Sequence, residues 1–266
     1  MPIHPTAIID RSSEVDASAE IGPYAVVERG CKIGPGVRLY AHAYVSEGTT
    51  LAAGVQVHPF AVVGHLPQDV KFTGEPSYTV VGEGSIIREH ATIHRGTTPG
   101  STTTVGRNCF IMSTGHVGHN CTIGDHVIIA NGGLVAGHVQ VGDRAFISGN
   151  VVVHQFCRIG ELAMLGGLVG VSMDVPPFMS LRMPHCYAGP NVVGLRRAGF
   201  SPAERQEIRA CLNVLVRSGR GLPGAIERIA ARVQTDPGRR LLAFLQAPTK
   251  RGVFVPRSDG EVIEAH

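Results

Sequence analysis

Val105-Gly106-Arg107-Asn108-Cys109-Phe110-Ile111-Met112-Ser113-Thr114-Gly115-His116-Val117-Gly118-His119-Asn120-Cys121-Thr122-Ile123 places an aliphatic side chain at 105, 111, 117 and 123, an interval of six. Working outward, the interval continues to Val171, and it reaches back through Ile93, Ile87 and Val81. Beyond an interruption it resumes in the same phase, from Val63 down to Ile3. Of the 29 positions 3, 9, 15 and so on to 171, 26 are Ile, Val or Leu, the exceptions being Asp69, Glu75 and Pro99. Those three residue types number 65 of 266, so chance would fill about 7 of the 29. Four residues after each aliphatic the site is usually small or β-branched, as at Ala7, Ala19, Ala25 and Cys31, and Gly often follows the aliphatic directly. Such hexads are the signature of a parallel β-helix. Each supplies a short strand and a tight turn, and three close one triangular coil whose inward aliphatics are buried only by stacking on the next coil. Twenty-nine hexads predict almost ten coils.

The broken positions predict two loops leaving the prism, His65 to Tyr78 and Gly96 to Thr104. Exposed loops on a rigid scaffold are where ligand contacts tend to sit. After Val171 the repeat fades and the composition turns to Ala, Arg, Glu and Leu, so a β-helix domain over 1–188 and an α-helical domain over 189–266 are expected. Ser201-Pro202-Ala203-Glu204 reads as a capping box opening a helix that ends near Ser218-Gly219. Further helices are expected around 223–234 and 237–246, with poor order after Pro248.

The composition agrees: hydrophobic residues make up 43%, aromatics 5%, Trp is absent and Gly numbers 34, which suits an aliphatic core and frequent turns. A net charge of +3 without Lys/Arg runs interleaved with aromatics argues against a nucleic-acid groove. No apolar run reaches about 18 residues, and Met1-Pro2-Ile3-His4-Pro5 opens no signal peptide, so the protein is expected to be cytoplasmic. The six cysteines, in no ligand spacing, are expected as thiols.

Residues 18 apart stack at about one strand spacing, ~4.8 Å. His119, Gly137 and Gln155 form one column, flanked by Gly118, Ala136 and His154 and by Asn120, His138 and Phe156. His116 ends the preceding hexad. Four of thirteen histidines, His116, His119, His138 and His154, thus converge on one edge. Any single one is equally explained as an ordinary exposed turn residue; the coincidence of four points to a site. His4, His42, His58, His65 and His126 are scattered and read as surface residues. Zinc binding in the manner of γ-class carbonic anhydrases is the rival, although no carboxylate or Cys completes a ligand set. With no nucleophile motif nearby, direct transfer with a His general base is expected, and the unobstructed N–H of Gly137 is suited to an oxyanion.

Several stretches resemble the acyl-carrier-protein–UDP-N-acetylglucosamine O-acyltransferases of lipid A biosynthesis. They are Gln68-Asp69-Val70-Lys71-Phe72 with Gly74-Glu75-Pro76, Ile93-His94-Arg95-Gly96-Thr97, Gly118-His119-Asn120-Cys121, Leu134 to Val139, Val153-His154-Gln155-Phe156-Cys157 and Asp174-Val175-Pro176-Pro177. The resemblance implies a left-handed β-helix, an exception to the usual crossover hand. It implies a homotrimer with sites in the clefts between prisms, and transfer of a 3-hydroxyacyl group from acyl carrier protein to the 3-position of UDP-N-acetylglucosamine without a cofactor. It matches His119 to the general base and Gly137 to the oxyanion donor. It matches Gln68, Asp69, Lys71, His116, His138, His154, Gln155, His185, Asn191 and Arg197 to positions holding the nucleotide sugar or acyl donor. Gly166-Gly167 stands where bulky residues shorten the acyl pocket in relatives, which favours a long chain.

Three positions depart from the family pattern: Asn120, where Asp is usual, Met183-Pro184 before His185, and Val193, where an acidic residue is frequent. A neutral amide stabilises imidazolium less than a carboxylate does, so another acceptor is expected to orient His119. Arg196, Arg197, Arg205, Arg209, Arg239 and Arg240 are expected either to steer the acidic carrier or to form a solvated helix face. A related N-acyltransferase, an enzyme acting on the 3-amino sugar analogue, a metal hydratase and a non-catalytic scaffold are the rival readings.

Overall fold

A computed structural model describes residues 3–183, 186–218 and 221–255. Short strands, mostly of two residues, recur every six residues and turn about one axis, forming parallel sheets of nine, eight and ten strands as the three faces of a prism. The one antiparallel pair among the described strands joins Met179–Met183 to Cys186–Pro190 at the edge of the ten-stranded sheet. The register steps by 18, as in Ile8↔Val26 and His116↔Leu134, except at the two loops and at the C-terminal end, where Met164 pairs with Ser180 and Ile159 with Val175, a step of 16. Val62 pairs with Thr92, a step of 30, and Thr92 with His116, a step of 24, so the loops insert twelve and six residues. Both loops leave the prism at one corner, where the chain passes from the nine-stranded to the eight-stranded sheet.

Asp69, Glu75 and Pro99 lie on those loops, so 26 of the 29 hexads remain on the prism, and strands through Val175 and Leu181 extend it to about nine coils. The hexad aliphatics from Ile21 to Val171 that stay on the prism are buried, and the small residues between them, Ala25, Ala43 and Cys121 among them, fill the spaces. Each such Ile, Val or Leu contributes about 1.5–3 kcal/mol relative to exposure. From Tyr24 onward most corners hold a residue in the left-handed region. It is filled not only by Gly but by Asn108, Asn120, His138 and Phe156, with φ of 53° to 67°.

Helices α1 (Val192–Arg197), α2 (Pro202–Val216), α3 (Gly221–Ala230) and α4 (Asp236–Gln246) cover the C-terminal end. The capping box is present: Glu204 N–H donates to Ser201 Oγ and Ser201 N–H to the Glu204 carboxylate. Ile208, Cys211, Leu212 and Leu215 form the buried stripe. α1 is too short to leave a periodic trace in the sequence. Of the segment after Pro248, residues 256–266 lie outside the described residues, and Thr249 to Val255 differs from expectation by folding back on the prism. Val253 bridges Asp174, and Val253 and Phe254 are each only 5% exposed. The apolar run Val253-Phe254-Val255 has a surface to cover, which holds this segment in place. No described helix is long and apolar enough to cross a membrane, and all six cysteines are unpaired.

Candidate active site

The corner that releases both loops is the corner where the histidines align. His138 N–H donates to His119 O (2.9 Å) and Phe156 N–H to Gly137 O (3.1 Å), so the 18-residue columns exist as backbone ladders. The His119 and His138 rings meet edge to face at 5.1 Å, and His138 stacks on Phe156 at 4.7 Å.

His119 Nδ1 lies 2.9 Å from Asn120 Oδ1. The same oxygen accepts from Thr97 N–H (3.1 Å) and Thr97 Oγ1 (2.8 Å). A backbone N–H can only donate, so the atom facing it is the amide oxygen, and the imidazole must present Nδ1–H to it. In the neutral ring that tautomer puts the lone pair on Nε2. Asn120 is itself the acceptor that orients His119, which corrects the expectation of a different one. The side-chain carbonyl accepts as a carboxylate would, and it is held by a loop residue the hexad phase does not reveal. Asn120 N–H is fixed in turn by Thr103 Oγ1 at 2.7 Å.

His119 lies flat against Gly137. A Cβ at 137 would sit 2.5 Å from His119 Nε2, so only glycine leaves room for the base. A Cβ at 118 would sit 2.7 Å from Gly137 N. The Gly137 N–H has no partner among the described residues, and it borders the free Nε2.

One coil earlier stand residues the sequence reading left without a role. The His94 and His116 rings meet edge-on at 4.9 Å, and His116 Nδ1 bonds Thr92 Oγ1 at 2.7 Å. Burial above all, then His116, His65 and His119, pushes His94 down to about 4. Burial, then His119, lowers His116 as well. Arg95, buried beside His94, lies over the Phe72 ring of the first loop at 5.7 Å. The six-residue insertion hides this level, because its offset from the next coil is 24 rather than 18. The motif Ile93-His94-Arg95-Gly96-Thr97 was the available signal.

Gln68 and Lys71 are exposed on the first loop, with Lys71 N–H donating to Asp69 Oδ1 (3.0 Å). Burial, His119 and Lys250 lower His138, while Asp69 acts to raise it, so that loop borders the column. His154 and Gln155 are exposed one coil above. Asn191, Arg197 and Gly167 are elsewhere. Asn191 and Arg197 line a cavity of about 870 Å³ with His126, Phe146, Met164 and Val193, between α1 and the ten-stranded sheet, beyond a different corner. Asn191 Oδ1 caps α1 by accepting from Gly194 N–H, and its amide donates to Leu162 O (2.9 Å). Gly167, exposed, marks the third corner, and neighbouring Gly166 closes one end of the cavity. His185 and Pro184 fall outside the described residues. No trio of His, Cys, Asp or Glu among the described residues is placed to hold a metal. Of the six arginines, Arg240 pairs with Glu161 (2.6 Å) and Asp236, while Arg205 and Arg239 bond carbonyls. Arg196, Arg197 and Arg209 form no ion pair among the described residues.

A hexad-built prism with an oriented imidazole beside a bare backbone N–H defines a hexapeptide-repeat transferase. Residues 174–254 match the family described as UDP N-acetylglucosamine O-acyltransferase, domain 2. An acyl-(acyl-carrier-protein)–UDP-N-acetylglucosamine O-acyltransferase of Anaeromyxobacter sp. (strain K) is 39% identical over 256 residues, 95% of this chain and 99% of that protein. The UDP-N-acetylglucosamine acyltransferase structure from Francisella novicida superposes with a TM-score of 0.92 at 33% identity, covering 99% and 100% of the two chains. The Acinetobacter baumannii LpxA structure does so with a TM-score of 0.92 at 34%, covering 95% and 99%. The chain belongs to the UDP-N-acetylglucosamine O-acyltransferase family, and its fold is the left-handed parallel β-helix with a C-terminal helical part.

Proposed function

We propose that the protein moves a 3-hydroxyacyl group from acyl carrier protein to the 3-hydroxyl of UDP-N-acetylglucosamine, the first step of lipid A synthesis, with His119 as general base. The observation that carries the mechanism is the oriented His119, whose Nδ1 faces a locked amide oxygen. Its Nε2 takes the sugar hydroxyl proton as the oxygen attacks the thioester carbonyl. The oxyanion is met by the Gly137 N–H, the C–S bond breaks, and the proton passes from His119 to the departing thiolate. Products are the ester and the free carrier thiol. Carrier protein and nucleotide sugar as co-substrates support a cytoplasmic reaction.

The residues matched to substrate contacts lie on different corners, and the outer faces suggest how they meet. The eight-stranded face is polar, carrying Glu14, Lys32, Thr122 and Gln140. The other two carry apolar residues: Ile8, Leu134 and Val152, 41–65% exposed, on one, and Ile128, Phe146 and Met164 on the other. Two apolar faces meeting at one corner suit a ring of three prisms in which each copy covers its neighbours. Such a homotrimer sets the His119 corner of one copy beside the cavity of the next, with its Asn191 and Arg197. The sugar nucleotide and acyl donor then occupy a cleft bounded by Gln68, Asp69, Lys71, His116, His138, His154 and Gln155, and Gly167 leaves the acyl end open.

Purified protein assayed with 3-hydroxyacyl carrier proteins of several lengths, and with UDP-N-acetylglucosamine and its 3-amino analogue, tests this reading. Ester formation is expected; failure with every pair overturns it, and turnover of the amino sugar alone reassigns the acceptor.

A further inference from the structure

The C-terminal strap brings a cation to the histidine corner from outside the β-helix repeat. Thr249 to Val255 is fastened along the end of the prism. Asp174 N–H donates to Gly252 O and Phe254 N–H to Asp174 O, both at 2.8 Å, and Arg251 Nε donates to Ser172 O at 3.1 Å. Thus held, Lys250 sets its Nζ 4.6 Å from the centroid of the Phe156 ring, which stacks on His138, which in turn meets His119. The charged groups facing this column are His119, Asp69 and Lys250 itself. Lys250 forms no ion pair among the described residues. A ring face attracts an ammonium but occupies none of its three N–H donors. Asp69 faces the same column but makes no ion pair with Lys250, so an ammonium with free donors at the outer end of the ring stack is arranged for an anion that arrives with the substrate. Both co-substrates bring phosphate.

We propose that Lys250 is a substrate-binding residue that takes a phosphate group at the histidine corner, either the diphosphate of the nucleotide sugar or the phosphodiester of the carrier's prosthetic group. The inference rests on the acyltransferase reading. A lysine suits this role because it acts as a compact charge with rotatable donors and does not demand bidentate geometry.

Lys250→Met keeps the aliphatic stem on Phe156 and removes the charge; Lys250→Arg restores the charge. Steady-state kinetics in each substrate, with melting temperature as a control, separate a binding residue from a fastener of the strap. In Lys250→Met the KM of one phosphate-bearing substrate rises about tenfold, and Lys250→Arg brings it back to within threefold. The other KM and the melting temperature stay unchanged. A rise for the nucleotide sugar, with binding of UDP but not of uridine weakened in calorimetry, assigns the diphosphate. A rise for the carrier, with binding of phosphopantetheine but not of pantetheine weakened, assigns the phosphodiester. Unchanged KM values for both substrates, or a joint rise accompanied by a lower melting temperature, overturn the proposal. Wild-type protein without turnover would sink the acyltransferase reading instead, and the two calorimetric comparisons would still decide the role of Lys250.

Discussion

Two corners of the prism carry stacked columns that contain histidines, and they use them differently. Where the ten-stranded sheet passes to the nine-stranded one, Tyr24, His42, Phe60 and His90 stack face to face at 4.9–5.2 Å with rings within 12° of parallel. Where the nine-stranded sheet passes to the eight-stranded one, His94 meets His116 at 83° and His119 meets His138 at 90°. In the first corner His42 and His90 use their faces for packing, and no ring nitrogen has a partner among the described residues. In the second, His116 and His119 each hold Nδ1 in a hydrogen bond, to Thr92 and Asn120, and leave the other nitrogen without a partner among the described residues. A histidine at a β-helix corner is therefore not a site by position. It becomes one when an acceptor fixes its tautomer and a missing Cβ in the next coil lets it approach a bare N–H.

The sharpest way to break this contrast is to remove one ring from each corner. His119→Ala is expected to lower kcat/KM by about 10³- to 10⁴-fold, whereas His42→Ala changes it less than twofold; equal losses would mean that neither corner is special. Next in size is Gly137→Ala, whose methyl displaces His119 and screens the N–H. A loss of about 10²- to 10³-fold in kcat is expected, and near-normal turnover would remove Gly137 from the mechanism. Asn120→Ala, which deprives Nδ1 of its acceptor, should lower kcat by tens of times, while Asn120→Asp, which keeps the acceptor, should change it less than tenfold. A gain larger than that would show the amide to be a handicap. The smallest effect is on stability. His94, held near 4 in the fold against about 6.5 in the open chain, binds its proton in the unfolded state first. Its contribution is therefore absent above pH 6.5, and its penalty grows as pH falls from 6.5 to 4. The drop in melting temperature across that window should be smaller in His94→Gln, by the equivalent of up to about 3 kcal/mol; identical drops would place His94 in contact with solvent.

Much of this architecture was legible because a hexad leaves little choice. Each inward aliphatic repeats at one interval, and a change of phase would turn the whole side outward. The column His119, Gly137, Gln155 followed from the same arithmetic. What stayed hidden depends on departures from it. His94 and Arg95 sit across the six-residue insertion and fall outside an 18-residue map. The locking of Asn120 requires Thr97, which a loop supplies. The large cavity is closed by α1 and by the antiparallel return of Cys186–Pro190, neither of which has a period. Lys250 reaches the corner only through tertiary packing of a strap that composition alone suggested to be loose. Asn191 shows the opposite case: it was singled out for ligand contact, and its amide also caps a helix.

The two loops measure twelve and six residues, two sides of the prism and one. A segment tied at both ends and free between them can be of any length, since the scaffold resumes wherever the chain returns. Lengths of two sides and one side mean that the polypeptide varies here in whole modules. A stretch equivalent to one full turn has been lifted off the stack and set beside the histidines. The loops beside the histidines thus add length in multiples of the wall's own unit, so the core keeps one phase of six on either side of them.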